Sequence, residues 1–329
     1  MIPFSILDLA PIREGSNASQ SFAETSDLAQ LADDLGYHRY WLAEHHNMTG
    51  VASAATAVLI GHVAAATKRI RVGSGGVMLP NHAPLVIAEQ FGTLASLFPD
   101  RIDLGIGRAP GTDGKTARAL RRTLSGDVDN FPQDVNELIS YFGPARSIHA
   151  VQAIPGTDLK VPVWLLGSST YGAQLAAMMG LPYAFASHFA PTHLEVALDS
   201  YRQLFRPSEH LAKPYAMVAI NVILADDELT AKRAATSQQQ QFVQLIRGNP
   251  GQLPPPREDM DAFWSPAERA HVNQTLAYSY VGTPEQVTPK LRELIALTRA
   301  DELMINCHIF DHQERRRTIE LLAEVRASL

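Results

Sequence analysis

The sequence predicts a single α/β domain, a (β/α)8 TIM barrel, and three observations carry that reading. Short apolar runs alternate with amphipathic helical stretches from end to end, the pattern of a parallel sheet. Eight such units can be counted, and no long polar edge strand is among them, so a closed barrel accounts for them better than an open sheet. The 329 residues would ordinarily suggest two domains, but barrels reach that length as one. No stretch has the composition of an interdomain linker, and residues 1–329 read as one domain.

The elements follow in order. The first strand is expected at residues 4–9, ahead of a helix over 20–35 that stops at Gly36. A second strand at 37–43 leads to an alanine-rich helix over 53–67. The third, at 69–78, precedes a helix over 85–97 that ends before Pro99. The fourth covers 101–106 and the fifth 161–166, the latter followed by a helix through Gln174 to Met179 that closes on Gly180. A sixth strand at 183–186 and a helix over 192–205 come next, then a seventh at 216–224 with a helix over 227–247. The eighth is expected at 302–307, before a closing helix over 314–327. Two stretches exceed the repeat: 111–160 after strand four, and 248 to about 284 after strand seven. The second contains Leu253-Pro254-Pro255-Pro256. Long insertions on a barrel lie among its loops, where they form lids or substrate walls.

The charge balance, 28 basic against 34 acidic residues and a net −6, argues against a nucleic-acid binder. Arg315-Arg316-Arg317, with Glu314 and Glu320 close by, reads as a solvated helix face. Cys307 is the sole cysteine, which excludes an intramolecular disulfide and a cysteine-based zinc site. The first eight residues lack the basic and long apolar regions of a signal peptide. The apolar stretch 51–66 contains His62 and is too short to cross a bilayer comfortably. The expectation is a cytoplasmic protein without nucleic-acid or membrane partners.

Barrel chemistry sits at the carboxyl ends of strands. After strand two comes Glu44-His45-His46-Asn47. Side chains alternate at a strand end, so one histidine at most should face the centre, as a base, a cofactor contact or a buried structural residue. No His-x-His pair offers metal ligands here, and no metal is expected. Strand three carries Gly73-Ser74-Gly75-Gly76, paired glycines that mark a bulge, a barrel corner, or a strained or cis peptide under a flat ligand. Gly105-Ile106-Gly107-Arg108-Ala109-Pro110-Gly111 after strand four mimics a dinucleotide fingerprint. Its third glycine falls one position late, Pro110 intrudes, and it is not in the first βα unit, so that reading is rejected. Arg108, framed by glycines, suits a phosphate or carboxylate, with a surface ion pair as the plain alternative. After strand five, Gly167-Ser168-Ser169-Thr170-Tyr171-Gly172-Ala173 opens a helix. Its small residues either cap that helix or present its free N–H groups to a phosphate. Asp8, His188, Phe189, Asn221 and His308 lie near other strand ends and are candidate substrate-pocket residues.

Trp41-Leu42-Ala43-Glu44-His45-His46, the 73–84 segment with Asn81-His82-Ala83-Pro84-Leu85, Gly105-Ile106-Gly107-Arg108, the 167–173 turn and Val281-Gly282-Thr283-Pro284 recur in the order and spacing of a known family. On these motifs the chain resembles the luciferase-like flavin monooxygenases across its whole length, and is similar to the luciferase alpha subunit. The resemblance implies His45 as the catalytic histidine and Gly75-Gly76 as a non-prolyl cis peptide beneath the flavin. It implies Arg108 and the turn Gly167-Ser168-Ser169-Thr170-Tyr171 as the holders of the FMN phosphate. Two positions depart from luciferase: Gly167 stands in place of a glutamate, and Gly107 in place of the cysteine before the arginine. The implied activity is a two-component monooxygenase. Reduced FMN from a separate flavin reductase reacts with O2 through a C4a-peroxyflavin to oxidise a small organic substrate. A homodimer packed through the helices over 53–67 and 85–97 is also implied. The alternatives are an oxidoreductase using the deazaflavin F420, a metal-dependent barrel hydrolase, and a flavin-binding protein without turnover.

Overall fold

The computed structural model describes residues 2–109, 114–120, 130–144 and 151–329. Seven strands follow one another around a parallel barrel: β1 (Phe4–Asp8), β2 (Arg39–Leu42), β3 (Arg71–Met78), β4 (Ile102–Gly107), β5 (Val163–Gly167), β6 (Tyr183–Phe185) and β7 (Ala216–Leu224). A short strand, β8 (Ser279–Gly282), pairs only with the C-terminal half of β7. β9 (Glu302–Asn306) pairs with both β7 and β1 and closes the ring. The expected eight-stranded barrel is therefore present, with β8 as an addition outside the count.

The helices around it are α1 (Ala18–Asp34), α2 (Thr56–Ala66), α3 (Pro84–Leu97), α4 (Gly114–Leu120), α5 (Phe131–Phe142), α6 (Thr170–Met179), α7 (Leu194–Leu204), α8 (Glu228–Ile246), α9 (Pro266–Thr275), α10 (Pro284–Thr298) and α11 (His312–Ser328). Local chemistry sets several of their ends. Asn17, Asp227 and Asp311 accept hydrogen bonds from first-turn N–H groups of α1, α8 and α11. Gly180 takes φ +62° to end α6.

Some features differ from those the sequence predicts. Strand two is expected at 37–43 but spans only Arg39–Leu42; the flanking Tyr37 and Ala43 are buried like strand residues, and the Ala43 N–H still donates to the Asp8 carbonyl at 3.1 Å. The insertion at residues 248–284 has structure of its own: it holds α9, the added strand β8 and a segment in which Leu253 bridges to Arg13, and its Pro250 lines the cavity at the carboxyl ends of the strands. That segment packs tightly against the loop after β2; a Cβ on Gly50 would lie 2.2 Å from the carbonyl oxygen of Gly251. Of the expected 111–160 insertion, α4, α5 and residues 151–160 are described, and residues 110–113, 121–129 and 145–150, including Pro110 and Gly111, lie outside the described residues. Among the described residues no helix is long and apolar enough to cross a membrane. On α2 and α3, the helices expected to form a dimer, Val58, Val86 and Leu97 remain exposed.

Two cores result from strand alternation. The larger, including Ile6, Tyr40, Leu42, Val72 and Leu104, fills the shell between strands and helices. The second lies inside the barrel, where Leu7, Trp41, Trp164, Met217 and Met304 pack together, with the Trp41 and Trp164 rings edge to face at 5.2 Å. Below them is a polar floor. Arg39 reaches Asp103 at 2.6 Å and Glu302 at 3.1 Å, Arg71 reaches Asp103 at 2.6 Å, and Ser5 and Tyr215 donate to Glu302. Burial alone would raise the Asp103 pKa; Arg39 and Arg71 outweigh it and hold the carboxyl below its ordinary value.

Candidate active site

Above the tryptophan layer the barrel opens into a cavity of about 690 Å³ at the carboxyl ends of its strands, inside the roughly 300–1,000 Å³ range of small-molecule sites. Leu7, Trp41, Gly76, Met217 and Met304 form its floor and sides. Among the described residues no Asp, Glu or Lys lines it, and Arg108 is its one fixed cation.

Gly75 and Gly76 lie on the wall, joined by a cis peptide bond. Their lack of side chains is a packing requirement. A Cβ on Gly76 would sit 2.8 Å from the Gly105 carbonyl oxygen, and one on Gly75 would sit 2.8 Å from Leu7 Cδ1. The β3–β4 register also shifts between Ser74 and Val77, so the backbone here is re-aimed relative to its neighbour.

His45 is on the wall beside them, its backbone N–H bonded to the Ser53 carbonyl at 3.0 Å. Its ring Nδ1 is buried without a partner among the described residues. Burial lowers its pKa, against the pull of Glu44, so the imidazole is neutral at pH 7. His46 also reaches the wall, contrary to strict alternation, because the chain has left β2 at Leu42 and period two no longer applies. Glu44 is turned from the cavity: His46 and His82 each place Nε2 2.8 Å from its Oε1, and the Met78 N–H donates at 3.1 Å. These bonds overcome burial and hold the Glu44 carboxyl below its usual range. Glu44, His46 and His82 are also the described residues whose ligand atoms cluster closely enough to hold a metal ion. The His-x-His pattern, taken as the mark of a metal pair, passes over Glu44-x-His46. The 2.8 Å contacts suit a hydrogen-bonded clamp between the ends of β2 and β3.

Across the barrel top, the Arg108 guanidinium lies 4.2 Å from the centre of the Tyr171 ring. Gly167, Ser168, Ser169 and Tyr171 share the wall with it; Thr170 opens α6 behind them. Ser169 makes no side-chain capping bond, so the first-turn N–H groups of α6 are left for a ligand at the positive end of the helix dipole. Arginine, an aromatic platform and a helix N-terminus together have the chemistry that could hold a phosphate.

The pocket candidates divide. His188, Phe189 and His308 line the cavity. Asp8 does not. It faces the helices, where Arg315 reaches it at 2.8 Å, Thr25 at 2.8 Å and Tyr40 at 2.5 Å. This also corrects the reading of Arg315 as solvated, since it is 3% exposed. A strand-end carboxylate one residue out of phase with Leu7 and Leu9 points outward. Asn221 sits one layer behind the wall and bonds to the wall residues Gln238 and Asn306. These two, with Gln241, Phe242 and Leu245 of α8, escape the sequence-based prediction. The signal that points to them is Gln238-Gln239-Gln240-Gln241 in a helix whose buried face should be apolar, and Asn306 at the end of an apolar strand.

Burial pushes the His188 and His308 pKa down to about 3 and about 4, with His45 as a further lowering influence on both. Unfolded, both titrate near 6.5. Below that value the unfolded chain binds more protons than the folded one, so stability present above pH 6.5 is lost as pH falls towards 4. The thermal midpoint will therefore drop steadily over that interval, and His308→Gln will flatten the drop. A pH-independent midpoint between 6.5 and 4 contradicts the burial argument.

Comparison with known proteins identifies the family. The family model of luciferase-like monooxygenases matches residues 2–302. A luciferase-like monooxygenase of Escherichia coli (strain K12) is 59% identical over 328 residues, covering 100% of this chain and 98% of that protein. The N-acetyl-S-alkylcysteine monooxygenase of Bacillus subtilis (strain 168) is 32% identical over 98% of each chain. The crystal structure of apo-MsnO8 superposes with a TM-score of 0.90 at 34% identity, over 99% of both chains. The strand-end motifs thus converge on one cavity in a barrel of known kind, and the chain belongs to the luciferase-like monooxygenase family.

Proposed function

We propose that the protein is the oxygenase component of a two-component flavin monooxygenase that binds reduced FMN from a separate reductase. One atom of O2 enters a small organic substrate and the other leaves as water. The observation that carries this reading is the grouping of Arg108, Tyr171 and the α6 N-terminus at one end of a mainly apolar cavity. Arg108, over Tyr171 and beside the open N-terminus of α6, is the described cation that could hold a flavin phosphate. The Gly75–Gly76 stretch leaves a side-chain-free surface for a flat ring system, and the orphaned His45 Nδ1 gives that ring a polar neighbour. The Bacillus relative named for monooxygenation supports the same chemistry.

Reduced flavin, when bound, supplies the two electrons that activate O2. The chain does the rest. Arg108 and α6 fix the phosphate, the glycine pair admits the ring, and neutral His45 can accept or return a proton at Nδ1. The apolar walls from Leu7, Trp41, Phe242 and Leu245 exclude water that would otherwise discharge the oxidant unproductively.

Arg108→Ala will weaken reduced-FMN binding by about 10–100-fold, the ~1.5–3 kcal/mol of a charge-assisted contact. Anaerobic titration followed by flavin fluorescence measures this. The same titration with F420 separates the cofactors: F420 binding tighter than reduced FMN, or an Arg108→Ala protein that binds FMN unchanged, removes the assignment.

A further inference from the structure

The cavity has a second polar end, on β7, α8 and β9, and the directions of its hydrogen bonds can be worked out. Asn221 donates through Nδ2 to the His188 carbonyl oxygen at 2.7 Å and to Ser279 Oγ at 3.0 Å. A carbonyl can only accept, so Oδ1 is the acceptor end of Asn221. Oδ1 receives Gln238 Nε2 at 2.9 Å and Asn306 Nδ2 at 2.8 Å. Both donors are wall residues, 4% and 5% exposed. Each amide nitrogen spends one of its two N–H groups on Asn221, so the carbonyl oxygen and the second N–H of each residue are left without a partner among the described residues. Nearby, His188 Nδ1 and His308 Nε2 are buried and equally unpartnered. The surrounding wall is Phe189, Phe242, Leu245 and Met304.

We propose that this wall reads the substrate, and that the substrate is an uncharged, mainly apolar molecule carrying an N–H or O–H donor for Gln238 and Asn306. The inference rests on the reading that the flavin phosphate takes Arg108. A carboxylate or sulfonate then finds amide N–H groups but no further described cation to offset its desolvation, and it sets its negative charge beside two carbonyl oxygens. An alkylammonium finds acceptors for its N–H groups but no carboxylate to offset its desolvation. A ketone can accept from one of those N–H groups yet leaves both amide oxygens buried and unsatisfied.

The test uses the full-length protein saturated with reduced FMN under argon, and calorimetric affinities for octanamide, octan-1-ol, octan-2-one, octanoate and octylammonium. Octanamide and octan-1-ol will bind at least about tenfold tighter than octan-2-one, the effect of one or two unsatisfied buried acceptors. Octanoate and octylammonium will bind more weakly still. Gln238→Leu, checked for an unchanged thermal midpoint, will bring the amide-to-ketone ratio close to one. Asn306→Leu gives the same readout should Gln238→Leu fail to fold, and the wild-type series decides alone if both fail. Octanoate or octan-2-one equal to octanamide, or no binding of either donor, overturns the inference. Failure of reduced FMN to bind would instead remove the flavin reading. The series repeated without flavin would still rank amide above ketone, while octanoate gained access to Arg108.

Discussion

Replacing His45 by alanine will lower substrate oxygenation by about 10²–10⁴-fold, the usual range for a positioned acid or base, while reduced FMN still binds. In barrier terms this is about 3–5.5 kcal/mol. The expectation follows from a conflict in the site. An imidazole is held on an apolar wall with Nδ1 unpartnered, a condition proteins tolerate where a ligand supplies the partner. Its pKa is depressed by burial, so it enters the reaction neutral and can take a proton. The measurement is a single turnover: reduced FMN is bound anaerobically, oxygen is admitted, and product is compared with released hydrogen peroxide. The variant will shift the balance to peroxide. Wild-type product yield from His45→Ala would transfer the role to His188 or His308, which share the cavity and interact electrostatically with His45.

Asp103→Ala will cost about 3–5 kcal/mol of folding stability, the range for breaking a buried ion pair from one side. Asp103 is fully buried, and accepts from Arg39 at 2.6 Å, Arg71 at 2.6 Å and Trp41 Nε1 at 3.2 Å. Its removal leaves the buried Arg39 with Glu302 alone and frees Trp41, which packs beneath the cavity. Urea unfolding at pH 7 gives the loss directly. Because the folded carboxyl titrates below its ordinary value, its stabilisation is present above about pH 4 and disappears as pH falls through the folded pKa. The penalty for Asp103→Ala will accordingly shrink in acid. A variant within about 1 kcal/mol of wild type at pH 7 would show that the floor network is replaceable.

The match between sequence and structure is uneven, for reasons visible in particular residues. His45, Gly75, Gly76 and Arg108 could be placed on the cavity wall from the sequence because each lies in or just after a strand, with two distinctive local patterns among them: a glycine pair inside a strand and an arginine beside glycine. Asp8 misleads because one residue of phase decides inward against outward, and its partner Arg315 is 307 positions away. Gln238 and Asn306 escape notice because a glutamine in a long helix looks solvated until the helix is seen against the cavity. β8 is hidden because Ser279–Gly282 is half-buried and too short to show alternation.

What the sequence determined by itself is the barrel, its parallel order and the strand ends at which the candidate residues stand. Those follow from hydrophobic periodicity and from glycine and proline punctuation, which act over a few residues. The tertiary structure decided which of these ends share one cavity, that Asp103 and Arg39 form a charged floor beneath it, and that Asn221 orients the Gln238 and Asn306 amides on the wall opposite Arg108. Those depend on side chains brought together by closing the ring between β9 and β1. No local pattern encodes a contact whose distance is set by the closure of the whole sheet.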